Sequence, residues 1–142
     1  MKQELDLNIA SKAHPAPTAL TAPVEPVTRP WGSWTVLYEA EGVKVKLIEV
    51  HPGHRLSLQY HRHRSEYWVC VAGRADAVIG GCAVELGLHD SAFIPAGDAH
   101  RLGNSGPVPV CIVEVQKGDV LSEDDIVRLE DDYHRETKVS GR

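Results

Sequence analysis

Between Gly53 and Asn104, residues able to donate oxygen or nitrogen to a cation recur on short apolar segments: Gln59, His61, Glu66 and His100. Side chains two apart in an extended strand point to the same side. Gln59 and His61 therefore share a face, and by the same count so do His61 and His63. Glu66 opens the apolar run 67–72, and His100 follows the turn Pro95-Ala96-Gly97, so further strands can bring a carboxylate and a second imidazole to one place. A carboxylate, an amide oxygen and two imidazoles suit a borderline divalent ion, zinc first, with manganese, cobalt, nickel and iron as alternatives. Four protein donors leave room for one or two waters or for substrate oxygens. The plainer alternative is a set of polar strand residues facing water.

Such donors need a rigid scaffold, and the surrounding sequence has the period of strands. Residues 34–39 alternate, and in 43–50 Val43, Val45 and Leu47 take one face while Lys44, Lys46 and Ile48 take the other. Further strands are predicted over 55–61, 66–72, 74–79, 82–86, 91–94, 100–102 and 110–116, separated by Gly and Pro turns. Gly80-Gly81 predicts a two-residue hairpin, because glycine supplies the positive φ such turns need. Short strands so punctuated predict an all-β barrel or sandwich. Only 124–130 has a helical pattern, with Asp124 and Asp125 where the N-terminal dipole favours them, so a short C-terminal helix is expected. Residues 1–28 carry prolines at 15, 17, 23 and 26, which predicts a disordered leader or an extended arm against a neighbouring subunit.

The chain has 142 residues, 42% hydrophobic and 25% charged, the composition of one soluble domain. A chain of that length buries about 68–70% of its unfolded surface. A formal charge of -5 provides no basic stripe for nucleic acid, but leaves room for local cations around a small anion. Cys70, Cys82 and Cys111 lie in apolar strand sequence without C-x-x-C spacing. We expect buried free thiols in a reducing compartment, not a thiolate centre. The N-terminus lacks a signal-peptide core and no apolar run approaches about 18 residues. No membrane span is expected, and the protein is expected to be cytoplasmic.

The spacing Gly53-x5-Gln59-x-His61-x4-Glu66-x6-Gly73, then Pro95-x-Gly97-x2-His100-x3-Asn104, resembles the two cupin motifs, with Gln59 where the first histidine usually stands. Arg29-Pro30-Trp31-Gly32, Leu56-Ser57-Leu58-Gln59, the segment 61–68, and Asp125-Ile126-Val127-Arg128 through Glu130-Asp131-Asp132-Tyr133 look like the mannose-6-phosphate isomerase domain of type II phosphomannose isomerases. The resemblance implies a cupin domain over 29–135, a double-stranded β-helix or jelly-roll barrel, between the arm 1–28 and a polar tail 136–142. It implies that Gln59, His61, Glu66 and His100 hold one divalent metal ion, with His63 outside the set. Cupins commonly pair through edge strands, which covers those edges, so a homodimer is expected, with no nucleic-acid or membrane partner.

The implied activity is that of a mannose-6-phosphate isomerase, an intramolecular oxidoreductase acting on a small sugar phosphate. It interconverts mannose 6-phosphate and fructose 6-phosphate through a cis-enediol, with the metal polarising the carbonyl and cations steadying the developing oxyanion. Gln59 fits Lewis-acid work better than the all-His-plus-Glu pattern of iron oxygenases. Ser57 shares parity with Gln59 and His61 and matches the S-x-Q-x-H of zinc-dependent type I isomerases; it is either a substrate contact or a polar filler. Arg64 matches the arginine of the family's H-x-x-R-x-E block and takes a substrate-phosphate or catalytic electrostatic role, since arginine pairs bidentately with phosphate. Lys46 is the other catalytic candidate, as phosphate contact or acid–base. Arg29 is a substrate contact or a structural residue. Arg101, next to His100, points the other way. The base stays open among Lys46, His63 and metal-bound water.

Three positions depart from the pattern: Tyr67 in place of the histidine of E-H-W, His134 in place of the glycine of Y-G-R, and His89 where the second cupin motif usually has glycine. Two other readings remain. One is a non-catalytic metal cupin binding a sugar phosphate or sugar nucleotide, to which the absence of the guanylyltransferase domain often fused ahead of this one gives weight. The other is an iron oxygenase.

Overall fold

The computed structural model describes residues 24–137, so most of the expected arm, and the tail beyond 137, lie outside the described residues. Eleven strands follow in order: β1 (Val27–Arg29), β2 (Gly32–Ala40), β3 (Val43–Val50), β4 (Leu58–Tyr60), β5 (Arg64–Ala72), β6 (Ala75–Ile79), β7 (Cys82–Leu86), β8 (Ser91–Ile94), β9 (His100–Gly103), β10 (Val110–Gly118) and β11 (Val127–Glu130). They form two antiparallel sheets, one ordered β1-β2-β3-β10-β5-β8 and the other β11-β4-β9-β6-β7. The two sheets face each other over one core.

The inner face of the larger sheet changes character along its strands. On β10 the inward residues run Val110, Ile112, then Glu114 and Gln116; on β5 they run Cys70, Trp68, then Glu66 and Arg64; on β3 they run Val50, Ile48, then Lys46. Register aligns these switches, since Ile112 pairs with both Ile48 and Cys70, Glu114 with Lys46 and Trp68, and Gln116 with Glu66. The barrel therefore has an apolar floor, completed by Ala75, Ala77, Leu86 and Leu102 of the smaller sheet, and a polar cup above it. Lys46, Arg64, Glu66, Glu114 and Gln116 are each rooted in a strand whose other end is buried in the floor, which fixes their direction.

The hairpin at Gly80-Gly81 forms with φ of 56° and 82°. Asn104 closes the second motif: its Nδ2 donates to Val50 O at 2.9 Å and Val108 O at 2.8 Å, and its Oδ1 accepts from Gly106 N. His89 and His134, which stand where glycine is usual, are the two non-glycine residues with positive φ among those described, at 73° and 60°. The backbone at both places still adopts the glycine conformation, at a steric cost that histidine tolerates better than a β-branched residue.

Three expectations are corrected. Residues 124–130 form no helix, and there is none among the described residues. The Asp125 carboxylate accepts from the N–H groups of Arg62 and His63 at 3.0 Å, and 127–130 pairs as β11 with β4. Non-local bonds thus claim the groups a first helical turn would need. Cys82 is exposed, because it opens β7 directly after the hairpin, whereas Cys70 is buried and Cys111 intermediate; all three are free. Val27 and Thr28 belong to β1 and pair with β2. No helix in the described residues is long and apolar enough to cross a membrane.

Gly73, the glycine ending the first motif, has φ of 72°, and a Cβ there would lie 2.5 Å from Pro109 O. Gly73→Ala is expected to lower the urea midpoint at unchanged m by the equivalent of about 1–3 kcal/mol. An unaltered midpoint would show that the β5–β6 turn yields freely.

Candidate metal centre

His61 follows β4, Glu66 lies in β5 and His100 starts β9. The His61 Nδ1 is 2.7 Å from Asp125 O and the His100 Nδ1 is 2.9 Å from Asp98 O. A carbonyl can only accept, so both Nδ1 atoms carry hydrogen, and in the neutral imidazole each Nε2 turns a lone pair inward. What they face is a carboxylate: His61 Nε2 lies 2.8 Å from Glu66 Oε1 and His100 Nε2 lies 3.5 Å from Glu66 Oε2. The three side chains are each only 2% exposed. His61 Nε2, His100 Nε2 and Glu66 Oε2 are buried without a hydrogen-bond partner. In that neutral form two lone pairs face a carboxylate at close range, an arrangement that a cation completes.

The charges agree with that geometry. Burial alone would raise the Glu66 carboxyl, but the adjacent His61 and His100 imidazoles outweigh it and hold the group well below the usual carboxylate range. Burial pushes His100 below the ordinary imidazole value, against the opposing pull of Glu66, which favours the neutral, ligating form. Gln59 sits on β4 paired with His100. Its Oε1 accepts from Ser57 Oγ at 2.8 Å, leaving a second lone pair. His61, Glu66 and His100 form a group that could hold a metal ion, and Gln59 lines the cavity onto which Glu66 opens.

That cavity is also lined by Arg29, Lys46, Ser57 and Arg64, so the residues singled out in the sequence meet in one place. Lys46 Nζ stands 4.0 Å over the Trp34 ring and pairs with the Glu123 carboxylate. Arg64 is buried behind Glu66: its Nε is 3.4 Å from Glu66 Oε1 and its Nη1 donates to Ser122 O at 3.0 Å. It steers the carboxylate and anchors the segment 119–126. The side chain of His63 is exposed and outside the donor group. Tyr67 is likewise turned outward. Arg101 is buried beneath the smaller sheet, donating to Leu56 O and Glu130.

Sequence reasoning missed Glu114, Gln116, Glu123 and Asp125. For Glu114 and Gln116 a signal existed, since they share the parity of Ile112 in an otherwise apolar strand. Asp125 and Glu123 had none, because their partners lie more than sixty residues away. Glu114 accepts from Trp68 Nε1 at 2.9 Å and Gln116 Nε2 at 2.7 Å. Burial and then the adjacent Glu66 carboxylate push its carboxyl up to about 8, against Lys46 and Trp68, so it is neutral at pH 7. In the unfolded chain this glutamate loses its proton near 4.5. Its stabilising contribution is therefore complete below that value and is lost as pH rises through about 8. Urea unfolding of metal-free protein should show stability falling across that window, and Glu114→Gln should flatten the fall. A wild-type slope that Glu114→Gln leaves unchanged would refute the assignment.

Comparison with known proteins bears on the family and the fold. The family described as mannose-6-phosphate isomerase C-terminal matches residues 19–131. Mannose-1-phosphate guanylyltransferase ManC of Salmonella typhimurium is 47% identical over 109 residues, 77% of this chain and 23% of that protein. Alginate biosynthesis protein AlgA of Pseudomonas aeruginosa is also 47% identical over 109 residues, with the same coverage. The chain thus spans about a quarter of the length of these relatives. Among solved structures, a Klebsiella pneumoniae protein with a double-stranded β-helix domain aligns with TM-score 0.58 and 27% identity over 69% of this chain and 81% of its own. Bacillus subtilis oxalate decarboxylase aligns with TM-score 0.64 and 20% identity over 74% of this chain and 30% of its own, a likeness of fold. The two-sheet barrel is a cupin, and by the match over most of its length the chain belongs to the mannose-6-phosphate isomerase C-terminal domain family.

Proposed function

We propose that the cup binds one divalent metal ion through Gln59, His61, Glu66 and His100, zinc before manganese, cobalt, nickel or iron. We propose further that it interconverts mannose 6-phosphate and fructose 6-phosphate. The observation that carries the metal is the convergence of two imidazole Nε2 atoms on the Glu66 carboxylate, with both Nε2 atoms and Glu66 Oε2 buried without a hydrogen-bond partner. The family membership and the cationic lining of the cup support the sugar phosphate. When bound, the metal supplies Lewis acidity to a sugar carbonyl.

The chain's own residues account for the rest. Aldose–ketose conversion removes one proton from C2, delivers one to C1 and moves a hydroxyl proton from O2 to O1, with no external redox partner. Lys46 and Glu123 form an ion pair in the cup, so a proton acceptor and a proton donor lie side by side there, with Lys46 as the acid–base candidate. Arg64, with its Nε 3.4 Å from Glu66 Oε1, holds that carboxylate in its orientation. Ser57 orients the Gln59 amide. The apolar floor excludes water from beneath the cup, which strengthens each of these electrostatic contacts.

The second reading, a non-catalytic module binding a sugar phosphate or sugar nucleotide, is favoured by the relatives' guanylyltransferase names. Protein stripped by chelator should be inactive in a coupled assay on mannose 6-phosphate and regain fructose 6-phosphate production with a single divalent metal. His61→Ala should lose both the metal and at least about a hundredfold of the activity. Turnover that survives metal removal would refute the metal-centred reaction, and tight sugar-phosphate binding without turnover would select the second reading.

We also propose a homodimer. Tyr67 and Val71 of β5 and Phe93 of the edge strand β8 turn exposed apolar side chains outward, and a second copy would cover them. Sedimentation should give twice the 15.6 kDa of the chain; a monomer at every concentration would refute this.

A further inference from the structure

His61 and His100 come from separate parts of the chain, yet one run of hydrogen bonds joins both to Asp125. The Asp125 carboxylate accepts from Arg62 N through one oxygen and from His63 N through the other, each at 3.0 Å. The Asp125 carbonyl accepts from His61 Nδ1 at 2.7 Å. The His61 carbonyl accepts in turn from Gly97 N at 2.7 Å. Gly97 belongs to the turn closed by Asp98 N donating to Pro95 O, and the Asp98 carbonyl accepts from His100 Nδ1 at 2.9 Å. The loop 61–63 between β4 and β5 is thus gripped from two sides. The Arg62 and His63 side chains are exposed, so what Asp125 holds is their backbone. With Asp125 itself 8% exposed, water competes weakly for these charge-assisted bonds.

The same residue also ties down the segment 119–126, which lies between β10 and β11 and belongs to neither sheet. Asp125 N donates to Ser122 O at 3.2 Å, closing a turn that contains Glu123. Outside that turn the segment is held by side chains of the larger sheet: Lys44 donates to Leu121 O, Arg64 to Ser122 O, and Lys46 pairs with Glu123. A stretch without a strand ladder, kept in place by a few such contacts, opens more easily than the sheets around it. The loop that carries one donor imidazole and the segment that carries the partner of Lys46 therefore meet at a single carboxylate.

We infer that Asp125 is a positioning residue that ties the metal-binding imidazoles to the segment 119–126, so that metal occupancy and the placement of Glu123 against Lys46 favour each other. This rests on the metal reading above. A donor loop already held in place spares the ion the cost of ordering it, which raises affinity. Coupling between two events is reciprocal, so an ion on His61 and His100 strengthens the hold of Asp125 on residues 62 and 63 by the same factor.

The test measures zinc affinity by competition with a chelator, and amide exchange with and without zinc, in wild-type, Asp125→Ala, Asp125→Asn and Asp132→Asn protein. Asp125→Ala should weaken zinc about ten- to a hundredfold; Asp125→Asn, which keeps one acceptor oxygen, should lose less. Asp132 is an exposed carboxylate paired with Arg55, outside this run of bonds, so Asp132→Asn should bind zinc as the wild type does. Zinc should slow exchange of the Arg62, His63 and Asp125 amides in the wild type and far less in Asp125→Ala. A merely structural role would lower the urea midpoint of metal-free Asp125→Ala while leaving zinc affinity and zinc-dependent protection unchanged, and that result would overturn the inference. If Asp125→Ala misfolds, Asp125→Asn decides by the same two readouts. A wild type that takes up no divalent ion would remove the metal reading and this inference with it, whereas zinc held equally tightly by wild type and both Asp125 variants would remove the inference alone.

Discussion

A carboxylate buried against two imidazole lone pairs is the constraint on which the cup depends. Glu66 cannot be left in the interior as an isolated charge without a cost of several kcal/mol, so the groups around it must answer that charge. Arg64 offsets part of that charge from behind. What keeps the arrangement from collapsing is that each imidazole is held by a backbone carbonyl on its far nitrogen, Asp125 O for His61 and Asp98 O for His100. Those bonds choose the tautomer and fix the ring, so the donors stay convergent. The neutral Glu114, hydrogen-bonded by Trp68 and Gln116, lets a second acid sit nearby without adding a second negative charge.

The segment 119–126 joins parts of the cup that belong to different sheets. Lys44 donates to Leu121 O, Lys46 pairs with Glu123, Arg64 donates to Ser122 O, and Asp125 receives His61 Nδ1 and the N–H groups of Arg62 and His63. One irregular stretch therefore orients a donor imidazole, occupies a cationic side chain and leads directly into β11, which carries Arg128. Its lack of regular structure follows from these tasks, since its polar groups are satisfied by distant strands instead of by its own turn.

Much of this was legible in the order of residues. Period-two alternation marked 43–50, 82–86 and 91–94 with the bounds the strands have, because a half-buried strand leaves its pattern in adjacent positions. Glycines at 73, 80, 81 and 97 marked turns that adopt positive φ. The choice of Gln59-x-His61 over His61-x-His63 needed the family register, since parity alone allows both; the chain ends β4 at Tyr60 and leaves the His63 side chain outside.

What the chain order could not carry was anything set by contacts between distant strands. Asp124 and Asp125 have the local chemistry of a helix start, yet Asp125 is bound to residues 62 and 63, and its neighbours extend along β4. The neutral state of Glu114 depends on burial and on Glu66 across the sheet, and Arg128 comes to pair with Gln59 only through the fold. Local sequence determined the strands, the turns and the donor types, because backbone preference and side-chain parity act between near neighbours. Tertiary structure decided which donors meet, which charges are cancelled and which remain open to a ligand, because burial and Coulomb energy depend on distance in space.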